Sequence, residues 1–100
     1  MRLQIESPHM EVNQKMIGLV EDKFDHLGRI YKHINHCDVM VRKQKGDQLN
    51  ACCIEVNVEV PGAILFAKES EKTFESALRN LIENLEQQLR KNKEGFLNKE

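Results

Sequence analysis

The stretch CCIEVNVEVPGAILFAK, residues 52–68, decides the fold of this 100-residue chain. Apolar residues and Cys52 alternate with more polar ones through its first half, and the alternating positions are Cys52, Ile54, Val56, Val58 and Val60 against Cys53, Glu55, Asn57 and Glu59. Because successive side chains of a strand point to opposite faces, this pattern predicts a strand with one buried and one solvated face. The Pro61-Gly62 pair then predicts a turn, after which residues 63–68 return as the neighbouring strand.

Two more strands are predicted on the N-terminal side of this hairpin. Residues 1–6 alternate between apolar and polar side chains, which is typical of a half-buried strand. Val39 and Val41 mark the other strand, which leads into a polar loop over residues 42–50. The sequence therefore predicts four strands in total.

Two amphipathic helices are predicted as well. The first begins after Asn13, a candidate N-cap, and fades near residues 34–35; its core stripe consists of Met16, Val20, Phe24, Leu27 and Tyr31. The second begins after Ser70, another candidate N-cap, and can end at Gly95; its core stripe consists of Phe74, Leu78, Leu81, Ile82, Leu85 and Leu89. Each helix thus has one apolar face to bury.

The element order β-α-β-β-β-α predicts an α+β fold. The sheet has one apolar face and each helix has one apolar side, and a two-layer sandwich buries all of them. The predicted architecture is therefore a four-stranded sheet with both helices on one of its faces. A chain of 100 residues has room for one core, so residues 1–95 are predicted to form a single domain. Residues 96–100 are predicted to form a short loose tail.

Composition narrows the class of protein. The chain is 40% hydrophobic, which is too apolar for a disordered chain, and its net charge of -1 is not that of a strongly basic nucleic-acid binder. No apolar run approaches the roughly 18 residues that a membrane span needs. Three cysteines, an odd number, argue against a disulfide framework and for a reducing compartment. A cytoplasmic protein without a membrane segment is expected.

Catalytic motifs are absent from the sequence. It has no Gly-rich phosphate loop, no Gly-x-Ser-x-Gly and no His-Glu-x-x-His, so we expect no catalytic residue, no enzyme activity, no cofactor and no small-molecule substrate. His33, His36 and Cys37 could form a metal site, but they lack the paired spacing of zinc modules. Buried thiols are the preferred interpretation of the cysteines, and a thiol- or metal-dependent activity is a minor alternative.

Basic residues recur on both predicted helices and in the 42–50 loop, interspersed with carboxylates. One interpretation is an ordinary surface of mixed charge. The other is a phosphate-binding surface, because paired helices can present long basic side chains to the walls of an RNA groove. Charge patterning alone leaves both interpretations open.

Four segments in order carry a family resemblance, and they are LQIESPHMEV (3–12), EDKFDHLGRIYKHI (21–34), VEVPGAILFAKES (58–70) and KTFESALRNLIENLEQQLRKNK (72–93). Together they resemble the ribosome hibernation-promoting factor / ribosome-associated inhibitor A family in its short form. In the first helix, Lys23, Phe24, Leu27 and Arg29 match the family pattern. The resemblance covers nearly the whole chain, from residue 1 to about residue 93.

The resemblance implies a fold similar to a double-stranded-RNA-binding domain, and a partner, the small ribosomal subunit with its 16S rRNA. It implies that the protein occupies the channel of mRNA and tRNA, blocks translation and promotes ribosome hibernation as a stress response in stationary phase. The expected rRNA-binding residues are Lys23, Arg29, Arg79, Arg90, Lys91 and Lys93. Possible secondary contacts are Arg42, Lys43, Lys45, Asn84 and Gln87.

Two departures from the family pattern keep an alternative open. Asn84 and Gln87 stand where the family usually has a lysine and an arginine. An amide can hydrogen-bond a phosphate or a ribose, but it releases no counterion. The alternative is therefore a protein-interaction or dimerisation module on the same fold that has lost rRNA binding.

Overall fold

The structure is a computed structural model that describes residues 1–7, 12–43 and 52–97, with the side chains of residues 43 and 93–97 outside the description. Its elements are β1 (Arg2–Glu6), α1 (Gln14–Ile30), β2 (His36–Lys43), β3 (Cys52–Val60), β4 (Ala63–Glu71) and α2 (Phe74–Leu97). The predicted α+β order of four strands and two helices is confirmed. None of the described helices is long and apolar enough to cross a membrane.

The four strands form one mixed sheet in the order β1-β2-β3-β4. β1 and β2 are parallel, as they must be when a helix, α1, forms the crossover connection between them. The other two pairs are antiparallel. Val39 of β2 lies opposite Ile5 of β1 and Val56 of β3, and Val56 lies opposite Ala67 of β4. One apolar row thus crosses the whole inner face.

The predicted alternation of β3 is confirmed. Val56 and Val58 are 1% and 0% exposed, whereas Asn57 and Glu59, which alternate with them, are exposed. Glu55 on the same outer face is only partly exposed, because it is paired with Arg42. Cys53 is an exception on the outer face, because it is only 4% exposed. Its strand neighbours in register are Arg42 and Ser70, and a short side chain between two neighbours in an internal strand is shielded from solvent.

Both helices pack on the inner face and complete the core. In α1 the side chains of Val20, Phe24 and Leu27 are buried, while Met16 is partly buried. In α2 the entire predicted stripe is buried, from Phe74 at the helix start to Leu89. Leucine, isoleucine and valine dominate this core, and burial of such side chains is the main favourable term in folding.

The first helix starts where the sequence predicts and ends earlier. Asn13 is the N-cap, since its Oδ1 accepts a hydrogen bond from the backbone N–H of Met16 at 2.8 Å. α1 ends at Ile30 rather than near residues 34–35. The reason is tertiary, because the N–H of Asn35 already donates to the carbonyl of Glu59 in β3 at 2.8 Å.

The predicted start of the second helix is wrong by three residues. Ser70 belongs to β4, opposite Cys53, and the helix is capped instead by Thr73. Its Oγ1 accepts from the N–H of Ser76 at 3.1 Å, and its carbonyl accepts from the N–H of Ala77. A hydroxyl is available at both positions, and strand pairing decides between them.

Three further boundaries differ from the sequence expectation. β2 continues to Lys43, through the first two residues of the predicted loop, because it pairs there with Cys52 and Cys53. β4 continues to Glu71 for the same reason. α2 continues past Gly95 to Leu97, since one glycine costs a helix only about 1 kcal/mol. The rest of the 42–50 loop and residues 98–100 of the predicted tail lie outside the described residues.

The β3–β4 turn has the predicted geometry. Proline restricts φ to about -65°, and Gly62 follows with a φ of 81°. This combination is that of a type II turn, whose third residue must tolerate a positive φ. The tight connection holds Val60 directly opposite Ala63 and so sets the register of the hairpin.

Candidate nucleic-acid interface

The two helices form one outer layer of the molecule. Both are antiparallel to the strands that precede them, so they run in the same direction along the sheet. Near their C-terminal ends, His33 Nε2 lies 3.2 Å from Asn92 Oδ1, which joins the segment after α1 to α2. The exposed sides of the helices therefore form a continuous surface that faces away from the sheet.

Charge on this surface is balanced. Among the described side chains, α1 carries three cations, Lys15, Lys23 and Arg29, and three carboxylates, Glu21, Asp22 and Asp25. In α2 the three described cations are Arg79, Arg90 and Lys91, and the three carboxylates are Glu75, Glu83 and Glu86. A ligand with phosphate groups would thus meet individual cations rather than a uniformly basic face.

Two of the candidate arginines lie in ion pairs within their own helix. Arg29 Nη2 lies 2.8 Å from Asp25 Oδ2, and Arg90 Nη2 lies 3.8 Å from Glu86 Oε2. Both are exposed pairs one helical turn apart, a type that contributes less than about 1 kcal/mol. Such an arginine can exchange its carboxylate for a phosphate at little cost.

Lys23 and Arg79 flank the seam between the helices. Gly28 of α1 packs against Met1, the residue before β1. Lys23 lies on a different side of the helix from Gly28, toward α2. Gln88 of α2 reaches β4, and Arg79 lies on the opposite side of α2 from Gln88. Both cations are exposed.

Lys91 differs from the seam cations because it lies on the β4 side of α2. Within the described part of the chain, Lys23, Arg79 and Lys91 make no ion pair. Lys93 has its backbone in α2, while its side chain is outside the description.

Arg42, one of the secondary candidates, is not brought together with the helix cations. Arg42 lies on the outer face of the sheet, where its Nη2 is 2.7 Å from Glu55 Oε1 and 2.9 Å from Met40 Sδ. That face points away from the helices. Lys45 and the side chain of Lys43 lie outside the described residues.

Asn84 is engaged inside the protein, whereas Gln87 is exposed. The Nδ2 of Asn84 donates to Glu69 Oε2 at 3.0 Å, and its Oδ1 accepts from Gln88 Nε2 at 2.7 Å. Gln88 Nε2 also donates to the carbonyl of Phe66 at 2.8 Å. A signal for this arrangement exists in the sequence, because alternation places Glu69 on the inner face of β4, where a carboxylate needs a donor.

Comparison with known proteins identifies the family. Residues 3–95 match the family described as Sigma 54 modulation protein / S30EA ribosomal protein. This chain belongs to that family. The family predicted from the sequence resemblance is thereby confirmed.

Individual relatives of the S30EA chain are distant in sequence and similar in fold. The ribosome hibernation promoting factor of Pseudomonas putida is 26% identical over 94 residues, covering 94% of this chain and 88% of the relative. A ribosomal subunit interface protein from Coxiella burnetii superposes with a TM-score of 0.84 at 20% identity, over 93% of this chain and 98% of that one. The Thermus thermophilus Protein Y N-terminal domain superposes with a TM-score of 0.77 at 19% identity, over 91% of this chain and 98% of that one.

The residues of the hypothetical metal site do not converge in this S30EA chain. His36 and Cys37 are adjacent in β2 and so point to opposite faces. His36 Nε2 lies 2.8 Å from Asp38 Oδ1 on the outer face, whereas His33 contacts Asn92 in the helix layer. Among the described residues, no group of three or more metal-ligating side chains comes together.

Two of the thiols in this S30EA chain are buried and protonated at neutral pH. Burial raises the pKa of Cys37 to about 12, with the negative charge of Asp38 adding to the effect. Burial also raises the pKa of Cys53. Because the thiolate is the nucleophile and the metal ligand, neither cysteine is activated for chemistry.

Cys37 should make the S30EA chain less stable at alkaline pH. The unfolded thiol ionises near pH 9 and the folded one near 12, so the free energy of unfolding should fall as pH rises between these values. Cys37→Val removes this contribution while it preserves an apolar side chain at the site. Urea unfolding of both proteins from pH 8 to the highest pH at which they fold should show a shallower decline for the variant. Parallel declines would mean that the Cys37 thiol ionises as easily in the folded protein as in the unfolded one.

Proposed function

We propose that this protein binds the small ribosomal subunit through its helix layer and inhibits translation by occupying the channel of mRNA and tRNA. The ribosomes to which it binds would then enter hibernation. The observation that carries the proposal is the alignment of Lys23, Arg79 and Arg90 on one layer of a chain in the S30EA family. A relative matched over nearly its whole length is named a ribosome hibernation promoting factor, which supports the same function.

Phosphate contacts would supply the affinity. Each lysine or arginine that neutralises an rRNA phosphate releases a condensed counterion, which favours binding and makes it sensitive to salt. The ion pairs of Arg29 and Arg90 are exposed and weak, so these side chains can turn from carboxylate to phosphate. The backbone of 16S rRNA is therefore the proposed ligand.

The architecture supports inhibition by occupancy. A four-stranded sheet covered by two packed helices keeps its shape, and a rigid body excludes other ligands from the volume that it fills. No group has to accept a proton or attack a substrate in this mechanism. The protein would act in the cytoplasm, where translating ribosomes are found.

Stoichiometry tests the proposal. Purified protein titrated into a cell-free translation reaction should inhibit fully only near one copy per ribosome, because each copy blocks one channel. Ribosomes washed in high salt should regain activity, since phosphate contacts weaken as salt rises. Inhibition at a small fraction of the ribosome concentration, or damage that persists after the wash, would contradict occupancy.

A second candidate function is supported by the charge balance. The described cations and carboxylates of each helix are equal in number, and Asn84 is held by Glu69 rather than presented to a ligand. Both features suit a protein-interaction or dimerisation module on the same fold without rRNA binding. Sucrose-gradient sedimentation of a stationary-phase lysate separates the two, because only a ribosome-binding protein migrates with small subunits or larger particles.

A further inference from the structure

The edge of the sheet at β4 carries an exposed apolar pair. β4 is the last strand of the sheet, and no strand in the described part of the chain pairs with its far side. Ile64 is 68% exposed and Phe66 is 49% exposed, and both lie on the outer face at this edge. Natural proteins usually protect a long edge strand with charges, prolines or bulges, and here the exposed charges, Lys68 and Glu71, lie toward the end of β4 while two large apolar side chains are exposed near its start.

Backbone groups at this edge point outward. The two-residue turn at 61–62 makes Val60 and Ala63 a hydrogen-bonded pair. Because hydrogen-bonded and non-hydrogen-bonded pairs alternate in an antiparallel ladder, Ile64, Phe66 and Lys68 direct their N–H and C=O groups away from β3. The geometry matches a further antiparallel strand.

The flank of α2 above this edge is rich in amides. Gln88 and Asn84 reach toward β4, with Gln88 Nε2 on the carbonyl of Phe66 and Asn84 on Glu69. Asn80 and Gln87 continue the same flank, and its one described cation is Lys91. A flank of this composition is well suited to a like flank, because amides both donate and accept hydrogen bonds.

We propose that the β4 edge is the interface with a second copy of this chain. The two β4 strands pair antiparallel about a two-fold axis at Leu65, which sets Ile64 opposite Phe66 of the partner subunit. Four apolar side chains then form one cluster on the outer face of a continuous eight-stranded sheet. On the inner face, Ala63 lies opposite Ala67 of the partner subunit, and two small side chains let the strands approach.

The distribution of charge at this edge favours a second copy over RNA. In this register Lys68 faces Gly62 of the partner subunit, so no cation meets a cation across the strand pair. The side chains next to the apolar cluster are Asn57 and Glu59 of β3, which an RNA backbone would meet as an amide and a repelling carboxylate. The amide flanks of the two α2 helices meet on the other side of the sheet.

Gln88 limits the strength of this pairing. Its side chain donates a hydrogen bond to the backbone carbonyl of Phe66. When the copies associate, this carbonyl must give up the bond from Gln88 and accept one from the second strand. Gln88→Ala should therefore tighten self-association about tenfold, since the competing hydrogen bond is removed from both protomers. The dimer is expected to be reversible and concentration-dependent.

Sedimentation equilibrium of the full chain, without ribosomes, tests the interface from about 1 μM to about 1 mM. Wild type should convert from monomer to dimer over this range, while Phe66→Lys should remain monomeric, because each lysine would replace an apolar contact with Ile64 of the partner subunit and the two cations would be diagonal neighbours across the strand pair. Ile30→Lys is the matched control, since Ile30 is 50% exposed on α1, and its dimer should form as in wild type. Circular dichroism of each variant confirms that the fold is retained.

Hydrogen exchange of wild type gives a readout that needs no variant. The backbone amides of Ile64 and Phe66 should exchange more slowly as protein concentration rises. A monomer at every concentration, or equal effects of Phe66→Lys and Ile30→Lys, would overturn the proposal. It would also be overturned if wild type stayed monomeric while Phe66→Lys lost binding to small subunits, because the edge would then be a ribosome contact.

Discussion

Reversing Arg90 and Lys91 together, as Arg90→Glu and Lys91→Glu, is expected to weaken binding to the small ribosomal subunit about a hundredfold at moderate salt. Each substitution removes one phosphate contact and adds one repulsion, and both residues are exposed on α2. The logarithm of affinity should also fall less steeply with the logarithm of salt, by roughly 1.8 in slope for two lost contacts. Sedimentation binding to purified subunits at several salt concentrations measures both quantities.

A matched control separates local contacts from net charge. Arg2→Glu with Lys68→Glu makes the same change in net charge, but these residues lie on the outer face of the sheet. Binding by this variant should stay within a few-fold of wild type. If the control loses affinity and the helix variant does not, the ribosome contacts lie on the sheet face that carries Arg42, and the helix layer faces solvent.

The second large effect is expected at Phe24, whose side chain is 0% exposed between α1 and the sheet. Phe24→Ala should lower the free energy of unfolding by about 3–5 kcal/mol, because the site loses apolar burial and retains a cavity. A domain of this size is stable by about 5–15 kcal/mol in total. The melting temperature should therefore fall by about 15 °C or more.

Ile30→Ala provides the control for this change. Ile30 lies on the same helix but is 50% exposed, so its truncation should change the free energy of unfolding by about 0.5 kcal/mol or less. Urea unfolding followed by circular dichroism measures both variants. Similar losses for Phe24→Ala and Ile30→Ala would show that α1 does not dock on the sheet through its Phe24 face.

Function and stability should separate cleanly in these experiments. Arg90 and Lys91 are exposed, so reversing them should leave the melting temperature close to that of wild type. Phe24→Ala acts on folding alone, and below its melting temperature the folded fraction should bind as wild type does. A charge variant that lost both binding and stability would indicate that α2 had come away from the sheet.

Periodicity in the sequence was sufficient to predict the elements. The alternation through β3 and the stripe from Phe74 to Leu89 are properties of backbone geometry, because a strand repeats every two residues and a helix every 3.6. Burial of one face and exposure of the other follow directly from that geometry. The N-cap role of Asn13 was also predictable, because its side chain accepts a hydrogen bond from a residue only three positions further along the chain.

The sequence did not predict the helix boundaries that depend on contacts with residues far away in the chain. Ser70 and Thr73 both carry a hydroxyl, and the helix uses Thr73 only because Ser70 pairs with Cys53 across the sheet. In the same way, α1 ends early because Asn35 bonds to Glu59, which lies 24 residues further along the chain. Local propensity carries no information about such partners.

The same distinction between local pattern and distant contacts applies to the candidate site. The sequence by itself determined the fold class, the core stripes and the list of cations available to a phosphate ligand. Only the tertiary structure decided that Arg42 lies on the opposite face from the helix cations, that Asn84 is taken by Glu69, and that Ile64 and Phe66 lie at a sheet edge. The physical reason is that strand order, register and helix docking join residues far apart in the chain, and these pairings select which side chains meet each other and which meet solvent.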